Sequence, residues 1–438
     1  MENRIYFLYY ENTDDQTYEV YSSETKKISN MEYNEWRKHK KMFHMLPGFD
    51  ATHEGLLEYA KTFRQWVDEL KSFTLRIDKM FFSVDVLFYD SLHILTRSFF
   101  KRLSKGKFEH HTPMTQIELG YIDDCPNGGL IYCDESISDK YIESHSYDYS
   151  FDYPTCMSAD KLNIPNKSGK EYKLKQLPKP EELKTGYYRV KITCENKNFR
   201  KLFAFSKRHT YADRSVYQAM KYQKEYDVKI ELNQELKYNA YLYDDDDLER
   251  GKTIFGTWFR AICKLKETYP KNGIVKFMGS SLHGQLERIY ELDKTEDEII
   301  KEKLDIGKKA TNRYQVLGVK IYGIEGESNY KKIYSLMDTE NPEQINMRLK
   351  ALLSAYVRNK TSRLVTGHVY FGKDAIKNVV HDLNQVIRIH TDCVTFKKKH
   401  DHLLKDDLKY EKKSSGIIKW VNASTYHNKT TGKYHGRW

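Results

Sequence analysis

The sequence predicts an α+β protein of more than one domain, an expectation that rests on length, alternation and punctuation. Its 438 residues exceed one ordinary domain and suit about two or three. Strand-like and helix-like stretches alternate from the N-terminus onward, and a turn-rich segment, DDCPNGGL at 123–130, interrupts them. Aromatic residues make up 14% of the chain, enough for a real core. Charged residues at 31% and a mean hydropathy of −0.76 indicate a soluble protein with extensive solvated surface.

Residues 4–10 (RIYFLYY) read as a strand. Residues 54–75 carry Leu56, Leu57, Tyr59, Phe63, Trp66, Val67 and Leu70 at helical spacing. A strand-like stretch at 79–89 and a helix at 91–104 complete a compact α/β unit, which closes at the turn-rich segment. A short strand at 147–154, a Pro/Lys-rich loop at 162–183 and strands at 187–194 and 227–232 follow. The run Asp244–Asp247 precedes a helix pair with its tip near Pro270–Gly273. It reads as an acidic flank of a helix N-terminus, where acids are favoured, with metal binding as the alternative. Residues 287–346 read as an insertion with a hairpin around Val319–Tyr322. Helices at 344–358 and 373–385 then lead to a strand at 386–396 and a basic, turn-rich tail.

No run of about 18 apolar residues suggests a membrane span. The start, MENRIYFLYY, lacks the basic and small-residue features of a signal peptide. The six cysteines are scattered without a CxxC pair, which argues against a zinc ribbon and for a reducing compartment. These features predict a cytoplasmic protein, in the host cytoplasm if the source is viral, with no membrane partner. Net charge is +11, which suits a polyanionic partner because cationic side chains displace counterions from phosphates. A lysine excess from an AT-rich genome gives the same number.

Chemistry on nucleotides needs two carboxylates held a few ångströms apart to bind divalent ions, one activating the attacking hydroxyl and one steadying the leaving group. Asp148 and Asp392, each near a strand end, could supply them. The segment SYDYSFDYPTCM (146–157) resembles motif A of protein-primed family B DNA polymerases, the small phage and linear-plasmid type, written DxxSLYPxxM. Asp148, Tyr153, Pro154 and Met157 fall in register, and Phe151 and Asp152 replace Ser-Leu. KFMGSSLHGQL (276–286) is similar to motif B, KxxxNSxYG: Lys276, Ser281, Leu282 and Gly284 match, while Ser280 and His283 stand for Asn and Tyr. IRIHTDCVTF (387–396) is similar to motif C, YxDTDS: Thr391 and Asp392 match, with His390 at the first acid's position and Cys393 at the serine's. PNGG (126–129) lies upstream of motif A, where the family has a YxGG turn.

The resemblance implies roles residue by residue. Asp148 and Asp392 would be the catalytic, metal-binding carboxylates for two Mg2+ (or Mn2+) ions. Tyr153 would exclude ribonucleotides by crowding the sugar 2′ position. Lys276, with Lys264 on the preceding helix, would neutralise incoming phosphates, and His283 would keep a flat ring against the nascent base pair. Ser281, Gly284, Gly128 and Gly129 would contact primer or template, joined by Lys433 and Tyr434 as the approach to a KxY motif.

The N-terminal unit resembles the family's 3′–5′ exonuclease in degenerate form. YFLYYENT (6–13) aligns with its first motif, DxE, but Tyr9 occupies the Asp position and Glu11 remains. FHMLPGFDA (43–51) supplies Asp50, and VLFYDSLHILTRSFFKRLSK (86–105) resembles the segment that binds a single-stranded primer end. A two-metal nuclease lacking one bridging carboxylate should lose most of its rate.

The expected fold is therefore a right hand: palm and fingers behind an α/β, RNase H-like N-terminal domain, with the thumb short or absent. The expected segments are 1–124 (degenerate exonuclease), 125–250 (first palm part), 251–286 (fingers), 287–346 (template-encircling hairpin, by position) and 347–438 (second palm part and thumb approach). The expected partners are primer-template DNA and deoxynucleoside triphosphates, with a terminal-protein primer or a second chain supplying the thumb. Three readings stay open at this point: a DNA-directed DNA polymerase without effective proofreading, a catalytically impaired polymerase-like binding or scaffold protein, and an unrelated nucleic-acid-binding protein.

Overall fold

The structure is a computed structural model that describes residues 5–12, 17–32, 39, 41–46, 49, 51–77, 80–105, 107, 114–286, 291–304, 314–322, 326, 330–338, 347–366, 369–371, 374–376, 383–404, 410–431 and 433–435. It is a mixed α/β architecture of two compact units. One comprises 1–107 and 252–286, the other 108–251 and 287–438. The helix pair expected as fingers thus clusters with the N-terminal residues.

The larger unit is built on a seven-stranded antiparallel sheet. Its strands are β1 (Ile131–Cys133), β2 (Tyr141–Tyr149), β3 (Val386–His390), β4 (Cys393–Phe396), β5 (Tyr410–Trp420), β6 (Tyr426–Asn428) and β7 (Lys433–His435), in the order β7-β6-β5-β2-β4-β3-β1. β2 lies at its centre, and Ser144 to Tyr147 are all buried, as expected of a strand covered on both faces. Tyr147, Tyr149, Val386, Ile389, Val394 and Phe396 join one core cluster. Ile137, Ile387, Ile418 and Trp420 form another. After β2 the chain turns through Phe151, in the left-handed region at φ 55, into the short helix α1 (Asp152–Met157). A long helix, α2 (Met347–Thr366), runs through the same unit.

A five-stranded sheet centres on Gly186–Thr193, which pairs with Ala240–Leu242, Thr210–Ala212 and Lys229–Leu232. The fully buried ion pair between Arg348 Nε and Glu118 Oε1, at 2.6 Å, ties α2 to the helix Gln116–Asp124. The Tyr243 hydroxyl donates to the same carboxylate at 2.8 Å. The expected insertion contains a three-stranded sheet of Glu291–Thr295, Tyr314–Tyr322 and Lys331–Asp338.

In the smaller unit, Phe7–Asn12 pairs antiparallel with Thr17–Ser22 and parallel with Met42–His44, and Ile28–Glu32 completes a four-stranded sheet. The helix His53–Lys71 starts at Thr52, whose hydroxyl accepts from Gly55 N at 3.1 Å, and buries Leu56, Tyr59, Phe63, Val67 and Leu70. The helix Gly273–Leu286 begins at Asn272, whose Oδ1 accepts from Ile274 N and Val275 N. Gly273 is required there, because a Cβ would lie 2.3 Å from the Trp66 ring.

Several expected elements differ. The segment 373–385 is not one helix: it holds the strand Asp374–Ile376 and a 3-10 turn at Leu383–Gln385. The β-branched Ile376 suits the strand better than a helix. The single strand expected at 386–396 is the β3–β4 hairpin, and the strand at 147–154 stops at Tyr149. Pro154 falls in the first turn of α1, where its missing N–H costs nothing. The stretch 79–89 is a strand only over Met80–Ser83, followed by a 3-10 turn at Val86–Phe88. The tail forms β5, β6 and β7 rather than turns. Asp244–Asp247 does not abut the helix, because the strand Leu248–Arg250 intervenes; Asp247 and Asp244 pair with Lys167 (2.6 Å) and Lys170 (3.1 Å). All six cysteines are free thiols.

Candidate active site

β2 and β4 are antiparallel neighbours with Asp148 opposite Cys393. Tyr149 N donates to Asp392 O at 3.0 Å. Two acids far apart in sequence therefore stand close together, Asp148 on β2 and Asp392 just before β4. Asp392 lies in the β3–β4 turn, whose Thr391 adopts φ 61, a conformation uncommon for a β-branched residue. That turn is clamped from several directions. Thr391 N donates to Leu130 O at 2.8 Å, and the Thr361 hydroxyl of α2 donates to Thr391 O at 3.0 Å.

The Gly128–Gly129 turn belongs to the same clamp. Gly128, at φ 82, donates its N–H to Ser354 Oγ at 3.2 Å and accepts from Arg358 Nη1 at 2.7 Å. A Cβ on Gly129 would lie 2.6 Å from the Thr391 side chain. This pair of glycines thus serves close packing of the turn that bears Asp392.

Burial, then Asp148 and Asp152, pushes the Asp392 carboxyl up to about 7. The third acid is buried at the start of α1: Asp152 Oδ1 accepts from Lys360 Nζ at 2.6 Å, and the Lys360 ammonium sits 3.7 Å from the Tyr149 ring centroid. Burial opposes the Lys360 charge, but Cys156, Asp152 and Tyr149 outweigh it and hold its pKa above the ordinary value. Asp152 Oδ2 is buried and has no hydrogen-bond partner among the described residues. Asp148 pairs with Lys413 of β5, Nζ to Oδ1 at 3.1 Å. His390, where the resemblance expects an acid, is pulled below its usual pKa by burial and by the cations Arg388 and Lys413, so a neutral imidazole faces neutral pH. Tyr153 is half-buried in the first turn of α1 and interacts electrostatically with Arg358.

Asp148 and Asp392 are hard oxygen donors of the kind that suits Mg2+ or Mn2+. The raised pKa of Asp392 comes first from burial and then from the like charges of Asp148 and Asp152, a cost that a bound cation would relieve. The pair therefore fits such an ion, although no group of three His, Cys, Asp or Glu residues among those described is arranged to hold one.

Lys264, Lys276, Ser281, His283 and Gly284 belong to the smaller unit. Lys276 and Gly284 are exposed, Lys264 pairs with Glu267 at 3.3 Å, and the Ser281 hydroxyl is buried. His283 Nδ1 donates to Ser280 O at 3.0 Å, and burial lowers its pKa. Glu11 is in the strand Phe7–Asn12, with its side chain outside the described residues, as is Asp50 altogether. The expected acid position at Tyr9 is packed: its ring lies 5.9 Å from Tyr18 and 5.1 Å from His44. Lys433 and Tyr434 are on the edge strand β7, with β6 and β5 between it and β2. Sequence reasoning missed Lys360, Arg358 and Lys413; only Asp152 left a signal, an acid where motif A has a leucine.

Comparison with solved structures shows a mixed α/β fold similar to that of a DNA polymerase. Phi29 DNA polymerase complexed with single-stranded DNA matches at a TM-score of 0.53 and 12% identity, covering 99% of this chain and 89% of that one. The same polymerase with primer-template DNA and incoming nucleotide substrates matches at 0.49 and 13%, covering 78% of this chain and 56% of that one. Its post-translocation binary complex with primer-template DNA matches at 0.48 and 14%, covering 89% and 61%. The chain thus spans little more than half the length of those last two polymerase chains. No family model matches the sequence. No curated protein matches it either.

Proposed function

We propose that this protein is a DNA-directed DNA polymerase that adds deoxynucleotides by a two-metal mechanism. The observation that supports the reading is the closeness of Asp148, on the central strand β2, to Asp392, in the turn that leads into the neighbouring strand β4. Those two carboxylates would hold Mg2+ or Mn2+, which supplies charge neutralisation for the attacking hydroxyl and the departing pyrophosphate. The chain's own residues do the rest. Tyr153 limits the space at the sugar, α2 and the glycine turn fix the Asp392 backbone, and Lys264 and Lys276 offer mobile positive charge to triphosphate oxygens. Primer-template DNA and deoxynucleoside triphosphates are the partners of this reading, with terminal-protein priming and a thumb from a second chain as its extensions. Tyr9, packed between rings where a nuclease needs an acid, supports the absence of effective proofreading.

A second reading, a catalytically impaired polymerase-like DNA-binding or scaffold protein, draws on His390 and on the Lys413–Asp148 pair. Magnesium-dependent primer extension separates the two. Asp392→Ala is expected to lower extension by about 10³-fold or more, and His390→Ala only to reduce it. Salt-dependent DNA binding without incorporation by the unaltered chain contradicts the polymerase and supports the scaffold.

A further inference from the structure

Lys413 is placed by a break in the sheet. On β5, Lys412 pairs with Tyr147 and Ser414 with Ser146, so Lys413 is the extra residue of a bulge. A bulge leaves one residue out of the ladder, bends the strand locally and so re-aims a side chain. Here it carries the ammonium to 3.1 Å from Asp148 Oδ1, while the side chain stays half-exposed. The other cations nearby are committed elsewhere: Arg388 donates to Ala423 O, and its guanidinium lies 4.8 Å from the Trp420 ring centroid. Lys360 is bound to Asp152. Among the described residues, Lys413 is therefore the cation that offsets Asp148, on a sheet where the position expected to supply another acid holds His390.

We propose that Lys413 is a built-in counter-cation that competes with a divalent ion for Asp148, so that the ion must displace the ammonium before both carboxylates can bind it. This rests on the assignment of Asp148 and Asp392 as metal ligands. A half-exposed ion pair is weak, so the lysine yields to the ion rather than blocking it. The repulsion between a nearby ammonium and a doubly charged ion nevertheless weakens binding. A histidine at position 390 and a cation at 413 act in the same direction, toward a site that fills only at higher divalent concentration. Lys413 acts through Asp148 and is a positioning residue in this scheme.

The test is titration of the full chain with Mn2+ alone, free ion being read by electron paramagnetic resonance, without DNA or nucleotide. Lys413→Met is expected to tighten Mn2+ binding about tenfold, and Lys413→Arg, which keeps the charge, to leave it within about twofold of the unaltered chain. Equal or weaker binding by Lys413→Met, with binding still lost in Asp148→Asn/Asp392→Asn, overturns the competition while leaving the metal site standing. Binding that the double carboxylate variant does not change overturns the metal assignment itself. Thermal melting of each variant, measured alongside, shows that the substitution at this half-exposed position leaves the fold intact.

Discussion

The seven-stranded sheet of the larger unit and the four-stranded sheet of the smaller one pose the same chemical question and answer it differently. In the first, adjacent strands bring Asp148 and Asp392 together, and burial with mutual repulsion raises Asp392 to about 7. In the second, the strand Phe7–Asn12 offers Tyr9 where an acid is expected, and its ring is taken up by contacts with Tyr18 and His44. One sheet stores electrostatic cost at its centre, whereas the other spends the same kind of position on packing. Stored cost of that sort is typical of functional sites, because selection for stability alone would remove it.

The largest effect that would sharpen this contrast is kinetic. With Mg2+ present, shortening of a labelled single-stranded primer end should run at least about a hundredfold slower than extension of a primer-template. Comparable rates, with shortening abolished by Glu11→Ala, would show that the smaller unit keeps a working nuclease. A second, smaller effect concerns stability. Removing one partner of a buried ion pair strands the other charge, so Lys360→Met should cost about 3–5 kcal/mol in denaturant unfolding. Asp152→Leu/Lys360→Met should recover most of that loss, since an apolar pair of similar volume replaces the ions. The smallest effect belongs to the other sheet: Tyr9→Phe keeps the ring and should cost about 1 kcal/mol or less. A Tyr9→Phe loss as large as that of Lys360→Met would erase the distinction between the two regions.

Some of this was legible in the sequence for definite physical reasons. The helix His53–Lys71 announced itself because Leu56, Tyr59, Phe63, Val67 and Leu70 repeat at its own period. Asp148 and Asp392 could be named because an acid beside a strand end carries its chemistry in its identity. The hairpin around Asp392 was not legible: its turn is Thr391–Asp392, without the glycine or asparagine that usually marks positive φ. The C-terminal strands were hidden by charge, since Tyr410–Trp420 carries Glu411, Lys412 and Lys413 near its start and, among the large residues whose burial is described, buries Ile418 and Trp420. Lys360 and Asp152 are 208 residues apart, and nothing local to either shows that they meet. Lys413 needed the bulge, which is a property of strand register rather than of composition.

Anomalous scattering from Mn2+, in crystals of the full chain with primer-template DNA and a non-hydrolysable deoxynucleoside triphosphate, tests the central claim most directly. The account predicts manganese peaks bonded to oxygens of both Asp148 and Asp392, at about 2.0–2.3 Å. Well-ordered DNA with Lys413 still on Asp148 and no manganese at either carboxylate would contradict it.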